Sequence, residues 1–356
     1  MLPPSDGTGK NIFAVLRSSV GAHKAPNAPH YKWSQQTDNM LQLKPSFPVK
    51  IQNYAFIMNP LERAVAGFVA RQLGCQPDRV IRVDSFATNA VYEVDAGGRR
   101  FVVKASTSHD ALAAEAWACA RGAEAGCGAP EILALGRLGG KDSMSALAMS
   151  GVPGEPIAPG HPAIVEVGAA LRRLHDTRSP GFGWLAEATW NESGGFSPPH
   201  TSWPGFLQNI CGEVRRMAGG DSIAGTVADE AAAALGAHAG ALAAVEVGAL
   251  CHGDLKASHI LVDAGGLSGV IDWGDAVVAD PRWDIARFAH RADTASLSLL
   301  LEGYRPDRAA SDELAWCIPL YAALWMLVDA SVAHNLGRPA EAPLAEAMAH
   351  LQRLPG

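Results

Sequence analysis

The sequence predicts an α+β fold of two lobes, a small antiparallel sheet followed by a larger helical part. Three observations carry this. Residues 78–105 and 130–152 hold short apolar or alternating runs, joined by links too short for parallel crossovers. After Gly154 the texture changes to long Ala- and Leu-rich stretches at helical spacing. Finally, 356 residues, 48% of them hydrophobic, suffice for two units with cores and exclude a wholly disordered chain.

Residues 1–57 stand apart. Five of the eight lysines (Lys10, Lys24, Lys32, Lys44, Lys50) fall there. Six basic and two acidic residues give this stretch +4, so the remainder carries −11 of the net −7. The stretch is rich in Pro, Asn, Gln and Ser and has no sustained period. It predicts a poorly ordered extension, with the folded chain starting near Met58. A basic arm for a polyanion is the other reading.

The elements follow in order. Asn59-Pro60, apolar residues at helical spacing to Leu73, then Gly74 predict a capped helix over 59–73. DRVIRVDSF, AVYEVD and RRFVVKAS read as strands, the last two joined by an Ala-Gly-Gly turn. Residues 109–126 are Ala-rich and helical, and EILALG and SALAMSGV add two strands. The first lobe, 58–150, therefore reads β-β-β-α-β-β after its opening helix, and the boundary falls near Gly151–Gly160. In the second lobe, 151–356, helices are expected over 162–176, 204–218, 224–247, 281–292, 294–303 and 311–335. The longest apolar run, Ala315 to Val328, ends at Asp329; it is too short to span a bilayer and fits a buried helix. One strand-rich island, Ala249 to Ala276, interrupts the helices.

Composition narrows the function. The net charge of −7 and pI of about 5.9 have the wrong sign for gripping nucleic acid. The six cysteines are scattered with no C-x-x-C pair, which predicts reduced thiols. With no secretory leader at the start, a cytoplasmic protein without a membrane partner is expected.

The island carries the chemistry. His252-Gly253-Asp254, then His259, then Ile271-Asp272 place two carboxylates and an imidazole at the edges of apolar strands, where a charge is costly to bury. Each alone could cap a turn. Together they fit phosphoryl transfer, in which one carboxylate orients a hydroxyl and further ligands hold a divalent metal on a polyphosphate.

The island resembles the catalytic region of the aminoglycoside phosphotransferase family, small-molecule kinases with a protein-kinase-like fold. The family pattern is H-G-D-x-x-x-x-N followed by I-D-[WF]-x-x-A. His252-Gly253-Asp254 and Ile271-Asp272-Trp273-Gly274-Asp275-Ala276 fit it. The resemblance implies that Asp254 is the catalytic base and Asp272 the main Mg²⁺ ligand. His259 stands where the family usually has a metal-binding Asn. Neutral imidazole can ligate a divalent ion but suits Mg²⁺ less than an amide oxygen does. A similar His occurs in the gentamicin- and macrolide-modifying branches, so ATP or GTP is the implied co-substrate. A non-catalytic nucleotide-binding pseudokinase is the reading from another class.

The same resemblance assigns further residues. Lys104 ends an apolar strand and is one of only three lysines after Met58, against twenty arginines. It resembles the lysine that holds the α- and β-phosphates, with Glu115 as its acidic partner. Ser85 and Thr88 lie where a nucleotide-covering loop is expected. Ala148 and Ser150 open a stretch resembling the hinge whose backbone meets the base. His252 and His175 read as structural, Asp280 as a helix cap and Asp284 as a brace for the catalytic loop. The acceptor is expected to be a small hydroxylated molecule, first an aminoglycoside, with Asp275, Glu302 and Asp329 as candidate partners for its ammonium groups. Trp203, Trp283, Trp316, Tyr321 and Trp325 would suit a macrolide, a nucleoside antibiotic or a metabolic amino alcohol instead. A monomer or dimer is expected.

Overall fold

The computed structural model describes residues 58–86, 89–139, 144–191, 195–218 and 222–355. The extension expected over 1–57 lies outside the described residues.

The first lobe opens with α1, Pro60–Leu73. Asn59 Oδ1 accepts from the Leu61 and Glu62 amides, Glu62 accepts back from the Asn59 amide, and Gly74 ends the helix at φ 67°. Next come β1 (Arg79–Phe86), β2 (Asn89–Ala96), β3 (Arg99–Ser106), α2 (His109–Glu124), β4 (Ile132–Arg137) and β5 (Ser145–Ser150). The five strands form one antiparallel sheet in the order β1-β2-β3-β5-β4. Gly97 and Gly98, at φ 57° and 76°, make the tight β2–β3 turn that other residues would resist.

Alternation in β5 divides the core. Ala146 and Ala148 face α1 with Val65, Phe68 and Val69, whereas Leu147 and Met149 join α2 in the larger core shared with the helical part. The apolar boundary therefore runs through the sheet, and α2 packs onto the second lobe as well as the first.

The second lobe begins with β6 (Glu155–Pro156) and α3 (Ile164–Leu174), followed by four two-residue strands: β7 (Arg178–Ser179), β8 (Gly183–Trp184), β9 (Thr189–Trp190) and β10 (Phe196–Ser197). Helices α4 (Trp203–Ala218), α5 (Ile223–Ala237) and α6 (Ala239–Ala243) lead to the island strands β11 (Gly248–Cys251), β12 (Ile260–Asp263), β13 (Gly266–Val270) and β14 (Val277–Ala279). Helices α7 (Arg282–Arg291), α8 (Thr294–Tyr304), α9 (Arg308–Asn335) and α10 (Glu341–Leu351) complete the described chain. Two small sheets, β7-β11-β14-β8 and β13-β12-β6, frame the island.

Two points differ from expectation, and one is met. The single helix over 224–247 is two helices, broken at His238, and the chain leaves helix after Ala243 to enter β11. High Ala content concealed that break, which Gly236 and Gly240 flank. Helix α10 and the short strands between α3 and α4 were not foreseen, since two residues carry no period. Asp280 caps α7 as expected: its carboxylate accepts the Arg282 amide at 3.0 Å, with Pro281 in helical space behind it, and it is also bound by the Arg282 side chain and the Tyr321 hydroxyl. Helix α9 is long and apolar enough to cross a membrane by length and composition alone, and it is mostly buried against α4, α7 and α10.

Helices α3 and α8 cross in close backbone contact. A Cβ on Gly168 would overlap the Leu300 carbonyl, and one on Gly303 the Val165 carbonyl. Gly303→Ala is therefore expected to lower unfolding stability by about 1–3 kcal/mol through overpacking. Gly236→Ala on α5, where a Cβ meets nothing within 4 Å, is expected to raise it by about 0.5–1 kcal/mol. Urea titration of both variants checks the pair.

Candidate active site

Two loops distant in sequence are locked edge to edge. Gly253 sits at φ 88°, and a Cβ there would overlap the Asp275 carbonyl, so only glycine fits. Asp284, fully buried on α7, accepts the His252 and Gly253 amides at 2.8 and 2.9 Å. Its third partner is His175 Nε2 at 3.1 Å, whose Nδ1 meets the Tyr304 hydroxyl at 2.9 Å. Asp284 is thus the loop brace that the sequence suggested, and His175 supports it. His252 donates through Nε2 to the Ile271 carbonyl at 3.0 Å, which leaves Nδ1 to accept the Asp254 amide at 3.2 Å. Its ring packs on Trp273 with centroids 4.7 Å apart.

Within this frame Asp254, His259 and Asp272 converge, with ligand-capable atoms all within 4.8 Å of one another. His259 Nδ1 donates to the Asp254 backbone carbonyl at 3.0 Å. The hydrogen-bond pattern therefore assigns the unprotonated Nε2 to the side facing Asp272 Oδ2, 3.5 Å away. Burial lowers the His259 pKa to about 4, so the imidazole is neutral near pH 7. Asp272 itself occupies left-handed backbone space at φ 65° and ψ 66°, a conformation that costs a non-glycine residue about 1–2 kcal/mol.

Lys104 reaches this group from β3. Its Nζ donates to Glu115 Oε1 at 2.5 Å and to Asp272 Oδ1 at 2.8 Å. Burial acts against the ammonium charge, but the two carboxylates outweigh it and keep the lysine protonated. Burial likewise opposes the Asp272 charge, yet Lys104 and His259 hold its carboxyl well below the usual carboxylate range. Glu115 is buried rather than solvated, because α2 presents it on the same face as Ala118 and Gly122.

Asp254 is buried between two cations. Lys256 Nζ donates to Oδ2 at 2.7 Å, and Arg287 Nε donates to Oδ1 at 2.8 Å. Burial alone would raise its pKa, but Arg287 and Lys256 pull it below the ordinary value.

Most of the expected site residues are brought together, and some are not. Asp275 closes the turn after Asp272, walled by protein yet open to solvent on one side. Its pKa is pushed up to about 7 by burial and by Asp254 and Asp272. Asp329 on α9 joins the group through Arg287 Nη1 at 3.4 Å. Glu302 does not: it is exposed on α8 and contacts none of these residues. Ala148 is also corrected. Strand β5 is paired with β3 on one edge and β4 on the other, so the Ala148 backbone is occupied in the ladder. Ser150 donates its amide to Glu131 and Gly151 to Arg100, and the backbone free of such bonds starts at Val152. Thr88 and the Ser85 side chain lie outside the described residues.

Sequence reasoning missed Lys256 and Arg287. For Lys256 a signal existed, since it is one of three lysines beyond Met58. Arg287 was hidden among twenty arginines, and only the helix places it three residues from Asp284.

The model of the phosphotransferase enzyme family matches residues 79–316. Among solved structures, a thermostable mutant of aminoglycoside phosphotransferase APH(4)-Ia, in ternary complex with ADP and hygromycin B, aligns with TM-score 0.62 and 18% identity over 82% of this chain and 99% of its own. A protein assigned as a fructosamine-3-kinase from Thermobifida fusca YX-ER1 aligns with TM-score 0.58 and 21% identity over 81% of this chain and 98% of its own. The GDP and kanamycin complex of APH(2")-IIia aligns with TM-score 0.56 and 12% identity, over 81% and 97%. No curated protein matches the chain by sequence at a significant level. The structural likenesses establish the two-lobed kinase fold. The match over 79–316 establishes kinship: the chain belongs to the phosphotransferase enzyme family and is an enzyme that moves a phosphoryl group onto an alcohol.

Proposed function

We propose that the protein transfers the terminal phosphoryl group of ATP or GTP to a hydroxyl of a small amine-bearing molecule, with an aminoglycoside antibiotic as acceptor and resistance as the consequence. The observation that carries this reading is the convergence of Asp254, His259 and Asp272, with Lys104 held against Asp272. Residues 58–150 would serve the nucleotide and 151–356 the acceptor. The hygromycin B and kanamycin complexes of the similar structures, the −11 balance after residue 57, and the site carboxylates Asp275 and Asp329 favour a cationic acceptor.

The donor set fits a divalent cation, since two carboxylates and an unprotonated imidazole nitrogen face one another. Asp272 and His259 would hold Mg²⁺, which when bound supplies charge neutralisation for the phosphates. Lys104 offers a compact positive charge to the α- and β-phosphates. Asp254 orients the acceptor hydroxyl and takes its proton as the new O–P bond forms and the bond to the nucleoside diphosphate breaks. Lys256, beside Asp254 Oδ2, stabilises charge on the group in transit.

A sugar amine or amino alcohol of metabolism is the second reading. The likeness to the fructosamine-3-kinase favours it, as do the two cations around Asp254, which offset carboxylates that a polycation would need. Resistance testing in a sensitive bacterium, with nucleotide consumption measured on hygromycin B, kanamycin and a fructosamine, separates the two. No ADP or GDP release with any acceptor would count against both.

Three outcomes are expected. Asp254→Asn should lower kcat by about 100- to 10,000-fold while nucleotide affinity changes little, as read by ADP release and calorimetry. Lys104→Met should raise the nucleotide KM. It should also cost about 3–5 kcal/mol of stability, because Glu115 is left buried without its cation; thermal melting reads this. His259→Asn should shift metal preference from Mn²⁺ toward Mg²⁺. In the native protein His259 stays unprotonated well below the ordinary value of about 6.5, so Mn²⁺ half-saturation should change little between about pH 7.5 and 5.5 and weaken only as pH approaches 4.

A further inference from the structure

Arg287 makes contacts that a merely structural ion pair would not need. Its Nε donates to Asp254 Oδ1 at 2.8 Å, and Nη2 lies 2.7 Å from the same oxygen. Its Nη1 reaches Asp329 Oδ2 at 3.4 Å. Its guanidinium carbon sits 4.3 Å from the centroid of the Trp325 ring, which fixes the plane of the fork. The Arg287 side chain is 8% exposed. Lys256, the partner of Asp254 Oδ2, is 33% exposed. Oδ1 is thus turned inward and crowded by two guanidinium nitrogens. Oδ2 lies on the solvent side with one donor, so it keeps capacity for a second.

We propose that Arg287 is the positioning residue of the transfer: it holds Asp254 by Oδ1, so that the acceptor hydroxyl is met by Oδ2, and it ties that orientation to Asp329 on α9. The inference rests on the phosphotransferase reading above. The hydroxyl then approaches on the Lys256 side of the carboxylate, and α9 governs the aim of the base through a single buried side chain. Lysine cannot substitute fully, because one ammonium cannot present the planar fork that spans both carboxylates.

The test uses the full chain with Mg²⁺, ATP or GTP, and whichever of hygromycin B, kanamycin or a fructosamine the native protein turns over, and follows nucleoside diphosphate release, the KM for the nucleotide and the melting temperature. Arg287→Met is expected to lower kcat by at least about 10-fold with the KM for the nucleotide held within about twofold, because aim is lost and binding is not. Arg287→Lys should recover part of that loss. Asp329→Asn should lower kcat by less, and the double variant Arg287→Met/Asp329→Asn should be no slower than Arg287→Met, as groups acting in one chain require. If Arg287→Met does not fold, Asp329→Asn still carries the test, since it must lower kcat without moving the KM for the nucleotide. Unchanged kcat in these variants, or losses that simply add, would overturn the inference. Absence of ADP or GDP release from the native protein with hygromycin B, kanamycin and a fructosamine alike would instead overturn the kinase reading, and this inference with it.

Discussion

A carboxylate sealed from solvent, Asp284, is the constraint on which the site depends. Burying a charge is unfavourable unless hydrogen bonds replace its water. Asp284 obtains them from the His252 and Gly253 amides and from His175. In return it fixes two successive peptide planes just ahead of Asp254. The missing Cβ of Gly253 then lets the Asp275 carbonyl sit against that turn, and His252 bonds to Ile271, next to Asp272. Two loops separated in the chain thereby become one rigid piece, with Asp254 on one edge and Asp272 on the other.

That rigidity holds an arrangement which separate side chains would avoid. Asp254, Asp272 and Asp275 crowd together, and Asp275 alone of the three is driven up to about 7, by burial first and then by the other two charges. Asp272 adds a left-handed backbone. Such cost persists only where the surroundings over-determine it, and it gathers at working sites. Lys104, Lys256 and Arg287 offset the repulsion from three different elements, each fastened to a named carboxylate. The combination is suited to a highly charged, metal-bearing ligand, whose phosphates and cation can exchange with these partners.

Much of this was legible in the sequence because the decisive residues are local to one island. His252 through Asp254, His259 and Asp272 sit on strand edges whose apolar runs are plain, and Asp284 follows within the next helix. What the sequence concealed depended on long-range packing. Lys256 and Arg287 look like ordinary surface charges until the fold presses both onto Asp254. Glu302 looks like an acceptor ligand until α8 is seen to expose it away from the group. Ala148 seemed available for a nucleotide base because a strand's pairing on both edges cannot be read from its own residues. The break at His238 was lost for a related reason, since alanine favours helix wherever it stands and does not mark where a chain must turn.

Helix α2 shows how a bland local pattern can encode a long-range requirement. Its alanines around Glu115 carry no local sign of burial, and only the resemblance points to Glu115 as the acidic partner of Lys104. In the fold, Ala118 and Gly122 are small because the second lobe lies against them, and a Cβ on Gly122 would overlap the Trp273 ring. Glu115 shares that face, so the packing that brings Trp273 onto α2 also carries Glu115 inward to Lys104. Trp273 directly follows Asp272, and Lys104 bonds both acids. The apolar seam between α2 and the 273–275 turn and the ion pairs of Lys104 are therefore one contact seen from two sides. A substitution that widened the seam would separate Glu115 from Lys104 without touching either residue.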